Sequence, residues 1–318
     1  MRVVITGATG FVGGAVARVL KARGDDVVAI VRDPGRAAGL AAAGVELAAG
    51  DLADVDVVAD HLRGADAAVH AAGSYRVGIR PTERDAMWDA NVGTTSRLLD
   101  AVGAARTPRV VYVSTCNVFG NTRGRVVDET YRRDESEGFL SWYDETKYRA
   151  HEAAEERIRR GARVLIVLPS QVYGPHDHSA FGDQLRLARD GQLRYRALDD
   201  VGVGLVHIDD LAAGIVASID RGRIGRSYVL SGQTTTLAEA IDLAAALGGH
   251  EPPRLRIPTG LLRVLAPVSA FIGQPNVAEL ISAADGVTYW ASSARAEAEL
   301  GFVARPIEAG FRDTFGAA

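Results

Sequence analysis

The chain has 318 residues, 47% hydrophobic and 24% charged, with a formal net charge of −4 at pH 7. That is ordinary globular composition, long enough to bury a substantial core without metal or disulfide staples, and it carries no basic footprint for nucleic acid. The single cysteine, Cys116, excludes an intrachain disulfide and fits a reducing compartment. No apolar run reaches the roughly 18 to 20 residues of a membrane span, and the sequence opens directly in an apolar strand. The expectation is a cytoplasmic protein, monomer or homodimer, without stable membrane insertion and with a small molecule as its substrate.

Read in order, strands are expected over 2–6, 27–31, 45–48, 67–70, 109–114 and 164–168. Helices fall between most of them, at 11–23 and 35–43 for example, and a longer one runs from 141 to about 160. Apolar strands without alternation, separated by helices, predict an α/β fold with a doubly wound parallel sheet covered on both faces. After Pro169 the pattern breaks up, with a turn at Gly174-Pro175 and a polar loop over 176–182. A helix over 209–220, a strand over 227–230, a helix from about 236 and short helices near 292–300 follow. The apolar stretch 261–273, interrupted by Arg263 and Pro267, reads by default as a packing helix, with sealing a pocket, docking a partner or touching a membrane as its other uses. Residues 1–170, with a later strand from about 200–235, form the expected dinucleotide domain, and 171–318 mainly a smaller C-terminal α/β substrate lobe.

Thr6, Gly7, Ala8, Thr9, Gly10, Phe11, Val12 and Gly13 lie between the first strand and the first helix. Glycines there let the backbone approach a pyrophosphate at a helix N-terminus, and Gly13 permits close helix-to-strand packing. The second strand ends in Arg32-Asp33. A guanidinium at that position clamps a 2′-phosphate, with Arg36 as a second contact, which favours NADP(H) over NAD(H). Asp33 either bonds a ribose hydroxyl instead or begins the next turn. Asp51-Leu52 follows the third strand, where a carboxylate accepts from an adenine amino group or caps the next helix.

Tyr143 and Lys147 stand at i and i+4 and share one helix face. An ammonium beside the phenol is expected to lower its pKa toward that of a working base, and the same lysine can bond the nicotinamide ribose. Ser114 or Thr115, at the carboxyl edge of the preceding strand, is placed to hold a substrate carbonyl. Cys116 lacks the surroundings of a nucleophile. His176-Asp177-His178 has no defined zinc ligand set and reads as a substrate-pocket loop in which the histidines contact substrate or solvent. His207 reads as structural, with Asp209 or Asp210 capping the following helix. Tyr75 and Tyr173 are expected pocket walls.

Together with His70-Ala71-Ala72, Asn91-Val92-Gly93-Thr94 and the segment from Pro169 to Pro175, these motifs resemble the extended short-chain dehydrogenase/reductase superfamily over essentially the whole chain. Within it, the surroundings of Arg32 and the late segment Gly204 to Asp210 look most like dihydroflavonol-reductase-like reductases and hopanoid-associated sugar epimerases. The resemblance implies a Rossmann sheet and a triad in which Thr115, not Ser114, joins Tyr143 and Lys147. It implies that Asn91 supports a bound water or the site's architecture, that Ala71, Ala72 and Gly73 run along the cofactor, and that Pro169 lies beside the nicotinamide. Substrate contacts would come from Tyr75, Thr115, Tyr173 and His176. Nucleotide-sugar members carry an arginine just before the Val-His segment, where this chain has Gly202-Val203-Gly204-Leu205. The favoured activity is therefore interconversion of a carbonyl and an alcohol with NADP(H). An epimerase or dehydratase of nucleotide sugars is the alternative, and a non-catalytic dinucleotide sensor or scaffold is disfavoured by the Tyr143/Lys147 pair.

Overall fold

A strand with no polar residues to expose must lie between two covering layers. A computed structural model, describing residues 1–269 and 276–316, has that arrangement. Strands β1 (Arg2–Thr6), β2 (Asp26–Val31), β3 (Glu46–Ala49), β4 (Ala67–His70), β5 (Val110–Val113) and β6 (Val164–Pro169) are interleaved with helices. These are α1 (Phe11–Arg23), α2 (Ala38–Ala42), α3 (Val55–Leu62), α4 (Arg84–Trp88), α5 (Thr94–Ala105) and α6 (Trp142–Arg159). Then come β7 (Gln171–Tyr173), α7 (Ala180–Arg189), β8 (Tyr195–Arg196), β9 (Gly202–His207), α8 (Ile208–Arg221), β10 (Ser227–Leu230) and β11 (Gln233–Thr236). The chain continues through α9 (Leu237–Leu247), β12 (Leu255–Arg256), α10 (Thr259–Ser269), α11 (Val277–Ala284), α12 (Ala294–Leu300) and α13 (Ile307–Phe315).

Seven strands form one parallel sheet in the order β10-β6-β5-β4-β1-β2-β3. Successive residues of each strand point to opposite faces, and two cores result. Val3 and Ile5 pack with Ala15, Val16, Leu211 and Leu300 on one side, and Val4 with Val58, Leu98 and Ala150 on the other. The strand order reverses between β1 and β4, so their carboxyl ends open a crevice, and Gly7 and Ala71 lie there.

Five strands outside this sheet were not expected: β8 pairs with β12, and β7, β9 and β11 form a second sheet. β11 pairs antiparallel and β7 parallel with β9. Sequence patterning misses β9 because Gly202 and Gly204 interrupt it, yet the strand is wholly buried. Its glycines serve close approach: a Cβ on Gly204 would lie 2.1 Å from the Ser231 hydroxyl, and one on Gly202 would lie 2.8 Å from Thr288.

Two expected caps also fall elsewhere. His207 rather than either aspartate caps α8, its Nδ1 accepting from the Asp209 N–H at 3.3 Å, while Asp210 pairs with Arg305. Asp54 rather than Asp51 caps α3, and Asp51 makes a local turn by accepting from the Ala53 N–H. Of the apolar stretch 261–273, the part through Ser269 lies in α10, and 270–273 lie outside the described residues. No helix among the described residues is long and apolar enough to cross a membrane.

Gly232 joins the large sheet to the small one, and a Cβ there would sit 1.9 Å from the Leu205 carbonyl oxygen. Backbone cannot rotate away as a side chain can. Gly232→Ala should therefore lose about 1–3 kcal/mol in urea unfolding, the usual cost of overpacking; an unchanged midpoint would show that the junction relaxes freely.

Candidate active site

The turn after β1 is shaped by contacts that only glycine allows. Gly7 has φ 77°, and a Cβ on it would lie 2.5 Å from the Ala72 nitrogen. A Cβ on Gly13 would lie 2.2 Å from the Gly7 carbonyl oxygen. Gly10 precedes α1 without any side-chain cap, and the first turn of α1 holds no acidic residue. Its leading N–H groups are thus left for an anion. This cradle fits a dinucleotide pyrophosphate, with Thr9 and Gly10 exposed, Phe11 and Val12 partly buried, and Ala71 and Ala72 along one wall. The Thr6 hydroxyl does not face the turn. It meets His70 Nδ1 at 2.6 Å, leaving only the Thr6 backbone for a ligand.

Arg32 and Arg36 are exposed, and among the described residues neither side chain is engaged by an acidic partner. Asp33 accepts from the Gly35 N–H at 3.0 Å and so begins the turn after β2. Leu52 is partly buried and its carbonyl accepts from Arg97 Nε at 2.9 Å, which fixes the Asp51 loop against α5.

At the other side of the crevice, Tyr143 and Lys147 lie in the first turns of α6 and are 6% and 7% exposed. Thr115 caps a 3₁₀ turn over Cys116–Phe119, its oxygen 3.2 Å from the Asn117 nitrogen. Its hydroxyl donates to Asn117 Oδ1 at 3.0 Å, and its nearness to the Tyr143 phenol acts to lower that group's pKa. Ser114 is turned away, its hydroxyl 3.0 Å from His151 Nδ1. The structure thus brings Thr115, Tyr143 and Lys147 to one place. Tyr75 packs edge-on against the Tyr143 ring at 4.9 Å between centroids, and Val77, Ile79, Met87 and Trp142 complete an apolar surround. Pro169 is buried at the end of β6, and Gly73 lies against Asn91.

The electrostatics differ from the expectation. Burial raises the Tyr143 pKa, the Tyr75 phenol adds to the rise, and the nearby Thr115 hydroxyl opposes it only partly. The Lys147 ammonium is turned to β5, over the Tyr112 ring. Burial lowers its own pKa to about 8, and its Nζ donates to the Val113 carbonyl at 3.3 Å. A helix face shared at i and i+4 does not decide where two long side chains end; the dry environment does.

Several residues hold this geometry; Asn91 was expected to support a bound water or the site's architecture, and the others were not anticipated. Asn91 lies in a π-helical turn, Asp89–Gly93, inserted between α4 and α5. Its Oδ1 accepts from the Ser74 N–H at 2.8 Å, and its Nδ2 donates to the Ser74 carbonyl and, at 2.9 Å, to the Thr146 hydroxyl. It therefore ties the Tyr75 loop to α6. Arg133 and Asp144 form a two-pronged buried ion pair at 2.8 and 3.1 Å, and Asp144 also accepts from the Leu140 N–H. The spacing Ser141-x-x-Asp144 carries half of a capping-box signal, which the Asp144 N–H to Ser141 bond uses. Glu279 of α11 accepts the Trp142 N–H, so the late part of the chain also grips the start of α6. His70, bonded to both Thr6 and Thr95, is pushed down to about 3 by burial, with the Lys147 charge adding, and so is neutral.

Other candidates resolve simply. Cys116 is buried, its thiol pKa is raised by burial, and Sγ lies 3.2 Å from the Leu168 carbonyl oxygen. Tyr173 is fully buried, edge-on to His207 and Phe311, and lines a cavity with His176 rather than joining the surround of Tyr143. His207, Asp209 and Asp313 come together with ligand-like spacing. However, His207 Nδ1 accepts a backbone bond, so the neutral ring carries its proton on Nε2, facing Asp313 at 3.3 Å. That leaves no lone pair for an ion.

A phosphate-cradling turn, a buried tyrosine–lysine helix and a doubly wound sheet define a nucleotide-dependent enzyme of the short-chain dehydrogenase/reductase type. Comparison with known proteins agrees: the chain belongs to the NAD dependent epimerase/dehydratase family, which matches residues 3–231, and is an enzyme of its extended short-chain dehydrogenase/reductase group. It is 32% identical over 269 residues to sterol demethylase protein B of Methylococcus capsulatus, covering 84% of this chain and 80% of that one. It is 27% identical over 270 residues to a 2-alkyl-3-oxoalkanoate reductase of Shewanella oneidensis, covering 80% and 68%. The crystal structure of gox2253 superposes with a TM-score of 0.84 at 31% identity, covering 98% of this chain and 96% of that one.

The lysine's burial is testable on the free protein. Its pKa falls from 10.5 to about 8, so the unfolded chain binds more protons between those values and stability rises with pH across that window. Below it the charged lysine opposes folding by roughly 3 kcal/mol. Lys147→Met should melt higher than the parent at pH 7, and the gap should close as the pH passes about 10. A gap that does not vary with pH would show that Lys147 is solvated.

Proposed function

We propose that the protein is an NADP(H)-dependent reductase or dehydrogenase that interconverts a carbonyl and an alcohol on a small molecule with a largely apolar body. The observation that carries this reading is the surround of the Tyr143 phenol: Tyr75, Val77, Ile79, Met87 and Trp142. A charged sugar nucleotide finds little there to pair with, and strand β9 carries glycines where the nucleotide-sugar relatives implied by the sequence resemblance carry arginine.

Residues 1–170 and β10 would hold the dinucleotide, and 171–318 mainly the substrate. The Gly7–Gly13 turn and the uncapped α1 N-terminus receive the pyrophosphate, Arg32 and Arg36 the 2′-phosphate, Asp51 the adenine and Lys147 the nicotinamide ribose. When bound, the nicotinamide supplies or accepts the hydride. The chain's own part is proton handling. A phenol whose pKa is raised by burial stays protonated, so its proton is present for the oxygen of a carbonyl under reduction, and transfer needs a nearby charge such as the Lys147 ammonium to stabilise the phenolate. Thr115 orients that oxygen, and the apolar surround excludes water. The cytoplasm is our assigned compartment, in keeping with the one free cysteine.

Arg32→Ala should weaken NADPH binding at least about tenfold while barely changing NADH binding, since only NADPH carries the 2′-phosphate. Equal losses for both, or tighter NADH binding by the parent, would remove the NADP assignment.

The reaction itself is tested by turnover. NADPH should be consumed one for one with alcohol formed from a ketone, and Tyr143→Phe should slow this by about 10²- to 10⁴-fold while leaving folding and cofactor binding intact. Near-parental turnover by Tyr143→Phe would take the phenol out of the mechanism. Conversion of UDP-glucose with no net change in nicotinamide absorbance would instead establish the epimerase reading.

A further inference from the structure

The hydroxyl of Thr115 carries a single proton, and that proton is already engaged. Thr115 is buried, and its Oγ1 donates to Asn117 Oδ1 at 3.0 Å while accepting from the Asn117 N–H at 3.2 Å. Ser114, the neighbouring hydroxyl, is committed to His151 and takes no part in this pair. The turn that carries Asn117 has little freedom to release the contact. The Asn117 carbonyl accepts from the Gly120 N–H at 2.8 Å, so both backbone groups of Asn117 are held. Val118 and Phe119 are buried, and Gly120 follows at φ 66°, where a Cβ would lie 3.1 Å from the Arg133 guanidinium.

A hydroxyl oxygen offers one donor and two acceptor lone pairs. Asn117 takes the donor and one lone pair, so what Thr115 keeps for a ligand is an acceptor. The Tyr143 phenol, kept protonated by burial, supplies a donor. A substrate oxygen held by both therefore meets one donor and one acceptor. An alcohol satisfies the two, accepting from Tyr143 and donating to Thr115. A ketone oxygen only accepts, so it pairs with Tyr143 but sets its lone pairs against that of Thr115. Relief requires the Thr115 proton to leave Asn117, which strips the amide oxygen of its bond. An amide oxygen is too weak a base to carry the proton further, so Asn117 acts on orientation and not as a relay.

We propose that Asn117 is a positioning residue that fixes the polarity of Thr115, so that the empty site is set to receive the alcohol in preference to the carbonyl. During reduction the Thr115 proton swings from Asn117 to the substrate oxygen as negative charge gathers there, and the same contact makes the ketone the costlier partner to bind. The polarity of Thr115 stands on the contacts with Asn117; that it discriminates between substrate and product rests on the reading of the site as that of a reductase or dehydrogenase.

Binding can be read without turnover on the NADP⁺ complex, using two ligands it cannot convert. These are 1-methylcyclohexanol, which has no hydride to give, and cyclohexanone, which is already oxidised. Asn117→Ala keeps the backbone N–H that orders the turn and removes only the acceptor. Followed by saturation-transfer NMR, it should shift the ratio of the two dissociation constants about five- to tenfold toward the ketone. Asn117→Asp, whose carboxylate can only accept, should not shift the ratio toward the ketone. Thr115→Val should shift it as Asn117→Ala does, and combining the two should add nothing, as one shared contact requires. In turnover, Asn117→Ala should lower KM for cyclohexanone and raise KM for cyclohexanol, whereas damage to the fold would raise both. An unchanged ratio in Asn117→Ala, a shift toward the ketone in Asn117→Asp, additivity with Thr115→Val, or no binding of either ligand by the parent would overturn the proposal. Failure of the reductase reading would show separately, as no NADPH consumption with cyclohexanone while the ratio still depends on Asn117.

Discussion

Placing a charged lysine on the buried side of a helical turn opposes folding, because the ammonium prefers water, and the tyrosine one turn before it is buried as a neutral phenol. The first turns of α6 are where the protein accepts that cost, and much of the surrounding structure serves to hold them. Ser141 caps the helix, Asp144 anchors it through Arg133, and Asn91 bonds Thr146 from the opposite side. Glu279 reaches the Trp142 N–H from α11. The ion pair is not free stability. Burial raises the Asp144 pKa even with the guanidinium beside it, which marks a desolvation penalty larger than the attraction. Its contribution is placement: Arg133 also donates to the Gly138 carbonyl, so the loop before the helix and the helix itself are set as one piece.

The dinucleotide cradle obeys a different constraint, backbone proximity. Gly7, Gly13 and Ala72 are close enough that no side chain fits between them, so β1, α1 and the end of β4 are locked together at the crevice. His70 reinforces this from beneath, linking Thr6 of β1 to Thr95 of α5 through a ring that burial keeps neutral. The same histidine lies within electrostatic reach of Lys147, so the cradle and the start of α6 share one layer of buried polar contacts along the sheet's carboxyl edge.

How much of this can be read from sequence depends on how local the determining physics is. Parallel strands such as 2–6 and 164–168 announce themselves because burial on both faces forbids polar residues. The turn at Gly7 and the i, i+4 pair of Tyr143 and Lys147 are equally local. What sequence hides is decided by partners far along the chain. β9 looks like a broken strand because the reason for Gly204 is Ser231, and for Gly202 it is Thr288. The π-turn at Asn91 follows from its bonds to Ser74 and Thr146, 17 and 55 residues away. The direction of the Tyr143 pKa needed the burial of the whole surround, since the nearby ammonium, taken alone, argues the other way.

That reversal bears on the direction of the proposed chemistry. A phenol pushed up by burial holds its proton firmly, so it is present as the acid form but gives the proton up only when a nearby charge stabilises the phenolate. Lys147, lowered to about 8, stays largely charged near neutral pH, with its Nζ donating to the Val113 carbonyl and lying over the Tyr112 ring. A hydroxyl-rich ligand arriving beside Lys147 would offer the ammonium better acceptors and favour its charged form. The charge would then begin to act on Tyr143 as the sequence alone suggests. On this account the tyrosine–lysine pair is completed by binding: the empty site holds the proton, and occupancy is what makes it transferable.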